Sequence, residues 1–386
     1  MAGIYVHIPF CKQACAYCNF HFTSSMRYKS ELVEAIAKEF AMKKAQIMAS
    51  APLHSIYLGG GTPSLLDENE LAKIIQPIQQ EISLQSNAEI TLEANPDDIN
   101  IASLRAFKRQ GVNRLSIGIQ SFFDSDLQFM NRAHNASQAE YAVKLAQDAG
   151  LENISIDLIY GVPGASKQQW KQNVEMALQL QVPHISSYAL TVEENTPLYK
   201  SIRQKEKSEP SPEATVEQYE ILVEMLLNGG FEHYEISNFA KPNHQAIHNS
   251  AYWAGKAYWG LGPSAHSFDG QYRRSWNIAN NQTYMREIMQ GALPEEFELL
   301  ETHDLYNEYV MIGLRTTKGC NIQEVELKFG ASMATYFLNQ MKMAMQAGNA
   351  IQDNHKIMLS SKGRMMADAI MRDAFVDAET LKLLNR

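Results

Sequence analysis

The sequence predicts an α/β protein: an incomplete parallel (β/α)6 barrel, then a smaller aromatic-rich segment, then a mostly helical, winged-helix-like C-terminal domain. Three observations predict it. Short β-branched runs alternate six times with stretches long enough for a crossover helix. A charged, proline-containing stretch interrupts that alternation after residue 200, and helical runs dominate from about His303 onward. Parallel strands joined by right-handed crossovers share one sheet, open or curled, and its functional groups collect at the strands' C-terminal ends.

The first strand is Gly3–Ile8, followed by Cys11, Cys15 and Cys18 within eight residues. In the helix over 28–50, Leu32, Ile36 and Phe40 recur at helical spacing. The second strand, Ser55–Leu58, runs into Gly59-Gly60-Gly61-Thr62-Pro63, and the third, Glu89–Glu93, ends on a carboxylate. Arg114–Ile119, Ile154–Ile159 and His184–Leu190 complete the six, with Asp157 inside the fifth. Lys200–Pro212 reads as an exposed loop. A helix over Glu213–Leu227, stopped by Asn228-Gly229-Gly230, leads to a strand, Phe231–Ile236, that extends the same sheet. Residues 238–290 hold three of the four tryptophans together with His244, His248 and His266, with His233 just before them. In the last segment Gly319, Gly330, Gly348 and Gly363 punctuate short helices, and Lys356–Leu359 reads as a strand or wing. The expected division is 1–237, 238–300 and 301–386.

Composition bounds the function. Of 386 residues, 45% are hydrophobic and 20% charged, which places the chain among ordinary globular proteins and excludes disordered and disulfide-stapled classes. Lys and Arg number 34 against 43 Asp and Glu, a net charge of −9, so no nucleic-acid partner is expected. No apolar run reaches membrane-spanning length and the first residues lack a signal-peptide pattern, so a cytoplasmic location is expected.

Clustered thiols in a reducing compartment point to metal or redox work. Cys11, Cys15 and Cys18 form Cys-x3-Cys-x2-Cys, which can wrap one loop around a cubane and leave its fourth iron open to a small molecule. The competing reading is a zinc site completed by His7 or His21. The glycine run is either a strand-end turn or a loop that lets backbone amides approach a ligand. Glu93, Gln120, Arg132 and Asp157 are polar groups at strand ends in apolar contexts: structural ion pairs, or groups that bind an amino acid and a ribose. His248, in His248-Asn249-Ser250-Ala251-Tyr252-Trp253, is either a haem-iron ligand or part of an aromatic satellite core. Met341, Met343 and Met345 cannot share one helical face, and Cys320 reads as a small buried apolar residue.

With these motifs together, the sequence resembles the radical SAM proteins, and within them the HemW haem chaperones, relatives of the oxygen-independent coproporphyrinogen III oxidase HemN. The resemblance is carried by Tyr5-Val6-His7-Ile8-Pro9-Phe10-Cys11, the three-cysteine loop, Gly59–Ser64, Ser116–Phe122, Asp157–Gly161 and His248–Trp253. It implies a [4Fe-4S] cluster on Cys11, Cys15 and Cys18, with S-adenosyl-L-methionine (SAM) on the fourth iron. It implies SAM contacts at Tyr5, Tyr17, Gly60, Gly61, Thr62, Glu93, Gln120, Arg132, Asp157 and Ala189, some of which serve a second SAM in the oxidase. The match of His248–Trp253 to the HNxxYW signature implies haem binding at His248. Two departures favour the chaperone over the oxidase, the alternative reading: Phe20 stands where the oxidase has a further cysteine, and Tyr5 is reached without the oxidase's N-terminal extension. The implied function is haem delivery to haemoproteins such as membrane respiratory enzymes, with homodimers as the implied assembly and the SAM site regulating dimerisation or transfer.

Overall fold

The structure, a computed structural model, describes residues 2–384. Strands β1 (Ala2–Ile8), β2 (Leu53–Gly60), β3 (Leu84–Ala94), β4 (Arg114–Gln120), β5 (Ile154–Tyr160) and β6 (His184–Ala189) stand side by side in chain order, each parallel to the next. The period of two sorts their side chains. Ile4, Val6, Ile56, Leu58, Ile90, Leu92, Leu115, Ile117, Ile154 and Ile156 bury against the crossover helices in one continuous core. The alternate positions, among them Tyr57, Glu93, Ser116 and Asp157, are polar and occupy the concave side. This is the α/β partial barrel the alternation predicts.

The sheet does not close; both edges are extended instead. Beyond β6 lies β8 (Asn238–Ala240), antiparallel, and then β7 (Glu232–Glu235). The strand expected over Phe231–Ile236 therefore joins the sheet one place further out, because the hairpin returns Asn238–Ala240 into the position beside β6. At the other edge β9 (Tyr258–Leu261) pairs in parallel with β1, and β10 (His266–Phe268), β11 (Arg273–Asn277) and β12 (Glu295–Leu299) follow in antiparallel order to make twelve strands. A buried polar knot ties this extension to the first helix, Lys29–Ala49. Glu39 accepts from the backbone N–H of Gly262 (2.8 Å), Asn277 Nδ2 (2.7 Å) and Tyr284 Oη (2.5 Å), and Lys43 bridges Glu39 (2.7 Å) and Glu295 (3.2 Å).

The stretch expected as a loop over Lys200–Pro212 begins instead with a helix, Pro197–Arg203. Thr196 caps it by accepting from the backbone N–H of Tyr199, and Pro197 sits at its first position, a start signal that the charge-based reading passes over. Past β12, the helices Thr302–Arg315, Ile322–Phe329 and Ala331–Gln346 pack with a small sheet of β13 (Cys320–Asn321), β15 (Lys356–Leu359) and β14 (Ala350–Asp353) around a second core. This is a winged-helix arrangement. Met341 and Cys320 are buried in it while Met343 faces solvent. It docks on β7: Glu235 bridges to Thr316, the Ile236 N–H donates to Arg315 O (3.1 Å), and Glu235 pairs with Arg315 at 2.9 Å. Among the described residues no helix is long and apolar enough to cross a membrane.

Candidate functional site

Where β1 ends, Pro9 and Phe10 carry the chain into the cysteine loop, which neighbouring segments stitch down on several sides. The Cys11 N–H donates to Thr23 O (3.0 Å), the Ala16 N–H to Met130 O (2.9 Å), and the Leu198 N–H to Ala16 O (2.7 Å), while Asn131 Nδ2 donates to Ala14 O (2.7 Å). All three cysteines are reduced and line one cavity of about 430 Å³ at the C-terminal mouth of the barrel. Tyr17, Gly60, Gly61, Thr62, Glu93, Gln120, Arg132, Asp157 and Ala189 line the same cavity. Of the residues expected to contact SAM, Tyr5 alone does not line it, and His248, expected to bind haem, lies outside this cavity and is buried.

The glycine run is both turn and ligand loop. A Cβ on Gly61 would sit 2.7 Å from Phe10 O and 2.8 Å from Ile8 O, and Gly60 has φ of +106°, so only glycine lets this loop pass beneath the cysteine loop. Glu93 accepts from Tyr57 Oη (2.7 Å) and the Gly60 N–H (3.1 Å). Burial, helped by the charge of Asp157, outweighs those donors and lifts Glu93 to about 7. Burial likewise raises Asp157 to about 6.

Arg132 donates from Nη1 to Cys15 Sγ (3.1 Å) and from Nη2 to Asn95 Oδ1 (2.7 Å) and Gly118 O (2.8 Å), and its buried Nε has no partner. No carboxylate among the described residues lies within 4 Å of it, so these polar groups are not a structural ion-pair set. Gln120, at a ladder irregularity of β4, holds φ of +66°, a costly backbone for a non-glycine residue and one that clusters at functional sites.

The donor set fits a cluster with one open iron better than zinc. His7 and His21, the histidines a zinc site needs, are engaged elsewhere. His7 Nε2–H donates to His21 O (2.9 Å), its Nδ1 accepts from Tyr5 Oη (3.0 Å), and His21 Nε2 meets Asn281 Oδ1 (2.7 Å). Burial pushes the Cys18 thiol up to about 11 and raises Cys11, which favours the protonated form until a metal displaces the proton. Thr62 Oγ1 donates to Cys11 Sγ (3.6 Å), so two of the three sulfurs already receive a hydrogen bond, a feature that tunes iron–sulfur sites.

His248 lies on the short helix Ile247–Tyr252, seated beneath β1 and β2. Glu89 accepts the backbone N–H groups of Ile247 and His248 (both 3.1 Å). The His248 ring hydrogen-bonds Ser55 Oγ through Nδ1 (2.8 Å) and Tyr252 Oη through Nε2 (3.0 Å), and stacks on Tyr57 with centroids 5.0 Å apart. Burial lowers its pKa to about 3, so the ring is neutral. Trp253, the end of the same motif, lies under the Arg315 guanidinium at 5.0 Å. Asn95, Tyr57 and Glu89 are partners that sequence reasoning passes over. Their signal is the two-residue polar alternation on the concave faces of β2 and β3, continued by Asn95 just past the strand.

A family model of the radical SAM superfamily matches residues 5–177, and one of the HemN C-terminal domain matches residues 300–366. "Heme chaperone HemW" of Bacillus subtilis is 32% identical to this chain over 96% of it and 98% of the relative. The chain belongs to the HemW family. A HemW relative from Mycobacterium tuberculosis is also 32% identical, covering 96% of this chain and 94% of its own. The mitochondrial radical S-adenosyl methionine domain-containing protein 1 of Danio rerio is 31% identical over 98% and 88% respectively. Among solved structures, the coproporphyrinogen III oxidase HemN of Escherichia coli superposes with a TM-score of 0.84 at 21% identity, over 97% of this chain and 90% of that one, a likeness of fold. This chain and HemN thus share the barrel and C-terminal domain.

Proposed function

We propose that this HemW-family chain is a cytoplasmic haem chaperone that binds haem and passes it to haemoproteins such as membrane respiratory enzymes. What supports the reading most is its length-wide likeness to relatives named as haem chaperones, together with a mouth cavity lined by three free thiols whose nearest histidines in sequence, His7 and His21, are engaged elsewhere. In this reading Cys11, Cys15 and Cys18 hold a [4Fe-4S] cluster, which when bound supplies an open iron for the amino and carboxylate groups of SAM and the capacity to cleave it reductively. This chain's own residues do the rest. Arg132, with its unpaired Nε, meets a carboxylate; Glu93 and Asp157 accept from amino N–H and hydroxyl groups; Gly60, Gly61 and Thr62 give backbone access; Gln120, Tyr17 and Ala189 bound the cavity. Tyr5 acts through His7 rather than from the wall. Exchange of SAM regulates dimerisation or haem transfer.

His248 is the haem-iron ligand of the proposal. Its neutral ring is the ligating form. With Nδ1–H donated to Ser55, Nε2 carries the lone pair, and Tyr252 must turn aside to expose it. The test is anaerobic titration of the cluster-loaded protein with haem, followed by absorbance and by assay for deoxyadenosine. Saturable uptake of about one haem without SAM cleavage, lost in His248→Ala but with the iron–sulfur spectrum intact, is the expected result, and Cys15→Ala loses that spectrum. Absence of haem uptake, with deoxyadenosine released on adding coproporphyrinogen III, overturns the chaperone reading in favour of the oxidase. Unchanged haem affinity in His248→Ala overturns the role of that residue alone.

A further inference from the structure

A second cavity, about 680 Å³, opens between the β6 edge of the barrel and the C-terminal domain, and it shares Tyr188, Ala189 and Thr191 with the cysteine cavity. Its volume suits a ligand the size of a tetrapyrrole. One wall carries aromatic rings, Tyr160 and Tyr219, and the other the thioethers of Met365 and Met366.

One cation in this cleft has no carboxylate beside it, and one buried hydroxyl has no hydrogen-bond partner. The half-buried Arg364 donates from Nη1 to His233 O (3.1 Å), and no carboxylate among the described residues lies within 4 Å of it. The neighbouring acid, Glu235, is committed to Arg315, the Ser237 N–H and Asn238, and Asp368 stands exposed at the rim. Tyr219 is 6% exposed, yet its buried hydroxyl has no hydrogen-bond partner. A guanidinium that feels Glu235 only at a distance and an unmet hydroxyl beside flat apolar walls suit a carboxylate carried by a planar ring.

Resting on the haem-chaperone reading, we propose that this cleft seats the haem, with a propionate held by Arg364 and Tyr219. The seat adjoins the His248 motif, because Arg315, another wall residue, covers Trp253. Haem therefore enters beside the SAM cavity and next to the element that carries its proposed iron ligand.

The experiment compares binding of haem and haem dimethyl ester, which lacks free carboxylates, to the cluster-loaded protein. The wild type is expected to prefer haem by about ten-fold, as a charge-assisted hydrogen bond implies. Arg364→Gln and Tyr219→Phe each lower haem affinity several-fold and narrow that preference, leaving ester affinity as it was, which also reports that the variants are folded. Equal binding of acid and ester by the wild type, or a preference that survives in both variants, overturns the seat while the chaperone reading stands. Uptake of neither ligand by the wild type takes both down.

Discussion

Glu93→Gln is a perturbation whose size follows from the site. Folded, Glu93 titrates at about 7; unfolded, at about 4.5. The folded state therefore holds its proton over a window in which the unfolded state has released it, and stability falls as pH rises from about 4.5 to 7. Each pH unit of that window is worth about 1.4 kcal/mol, so the charge costs roughly 3 kcal/mol at pH 8, about 1.4 kcal/mol at pH 5.5 and almost nothing at pH 4. Glutamine keeps an oxygen to accept from Tyr57 and removes the titration. The variant, prepared without iron under argon, is thus expected to gain about 2 kcal/mol more over the wild type at pH 8 than at pH 5.5, read from urea unfolding by circular dichroism. It is expected to bind SAM more weakly in cluster-loaded form, since the cost of the buried charge is what a cationic ligand relieves. A stability difference that stays the same at both pH values would refute the reasoning, because a packing effect carries no such slope.

Three further outcomes test other parts of the molecule. Lys43→Met leaves Glu39 buried with its hydrogen bonds but without its cation, and a loss of about 3–5 kcal/mol is expected, measurable as a lowered urea midpoint; Glu39→Gln on top of Lys43→Met should recover part of it. Gly61→Ala drives a Cβ into the carbonyls of Phe10 and Ile8, so the cysteine loop must shift, and iron content after reconstitution should fall while the far-ultraviolet spectrum stays native. Tyr57→Phe removes the hydroxyl that holds Glu93 down and keeps the ring on His248; the pH at which SAM affinity rises should move upward, with haem affinity unchanged.

What the sequence made legible, and what it did not, divides along local versus long-range physics. The six strands and the helix over 28–50 are readable because Ile4, Val6 and Ile8, or Leu32 and Ile36, repeat with the period of the element that buries them. The cysteine loop and glycine run are readable because their chemistry is compressed into a few adjacent residues. The placement of β9 beside β1 is not, since it depends on a pairing more than 250 residues apart in the chain, and nothing in Tyr258–Leu261 specifies the partner. Nor is the engagement of His7, which the spacing leaves free for zinc; a backbone carbonyl at His21 and the Tyr5 hydroxyl decide it.

His248 shows why an aromatic motif resisted a choice between ligand and core from sequence. Its ring is packed as a core residue is, against Tyr57 and Tyr252, and bonded through both nitrogens. Yet core packing alone does not account for its polar partners: Glu89 spends its carboxylate on two backbone N–H groups of that one turn, and Ser55 places a hydroxyl where hydrocarbon would fill the space at no desolvation cost. Tyr57 then makes the arrangement directional, since its ring lies on His248 and its hydroxyl donates to Glu93 at the wall of the cysteine cavity. At the other end of the motif Trp253 lies under Arg315, which lines the cleft proposed for haem. A segment of six residues therefore touches Tyr57, the neighbour of the cysteine cavity, with its first residue and Arg315, on the wall of the cleft, with its last. A shift of this helix that carries His248 away from Tyr57 would also move Trp253 against Arg315, and that contact chain is the form a coupling between the two cavities would take in this fold.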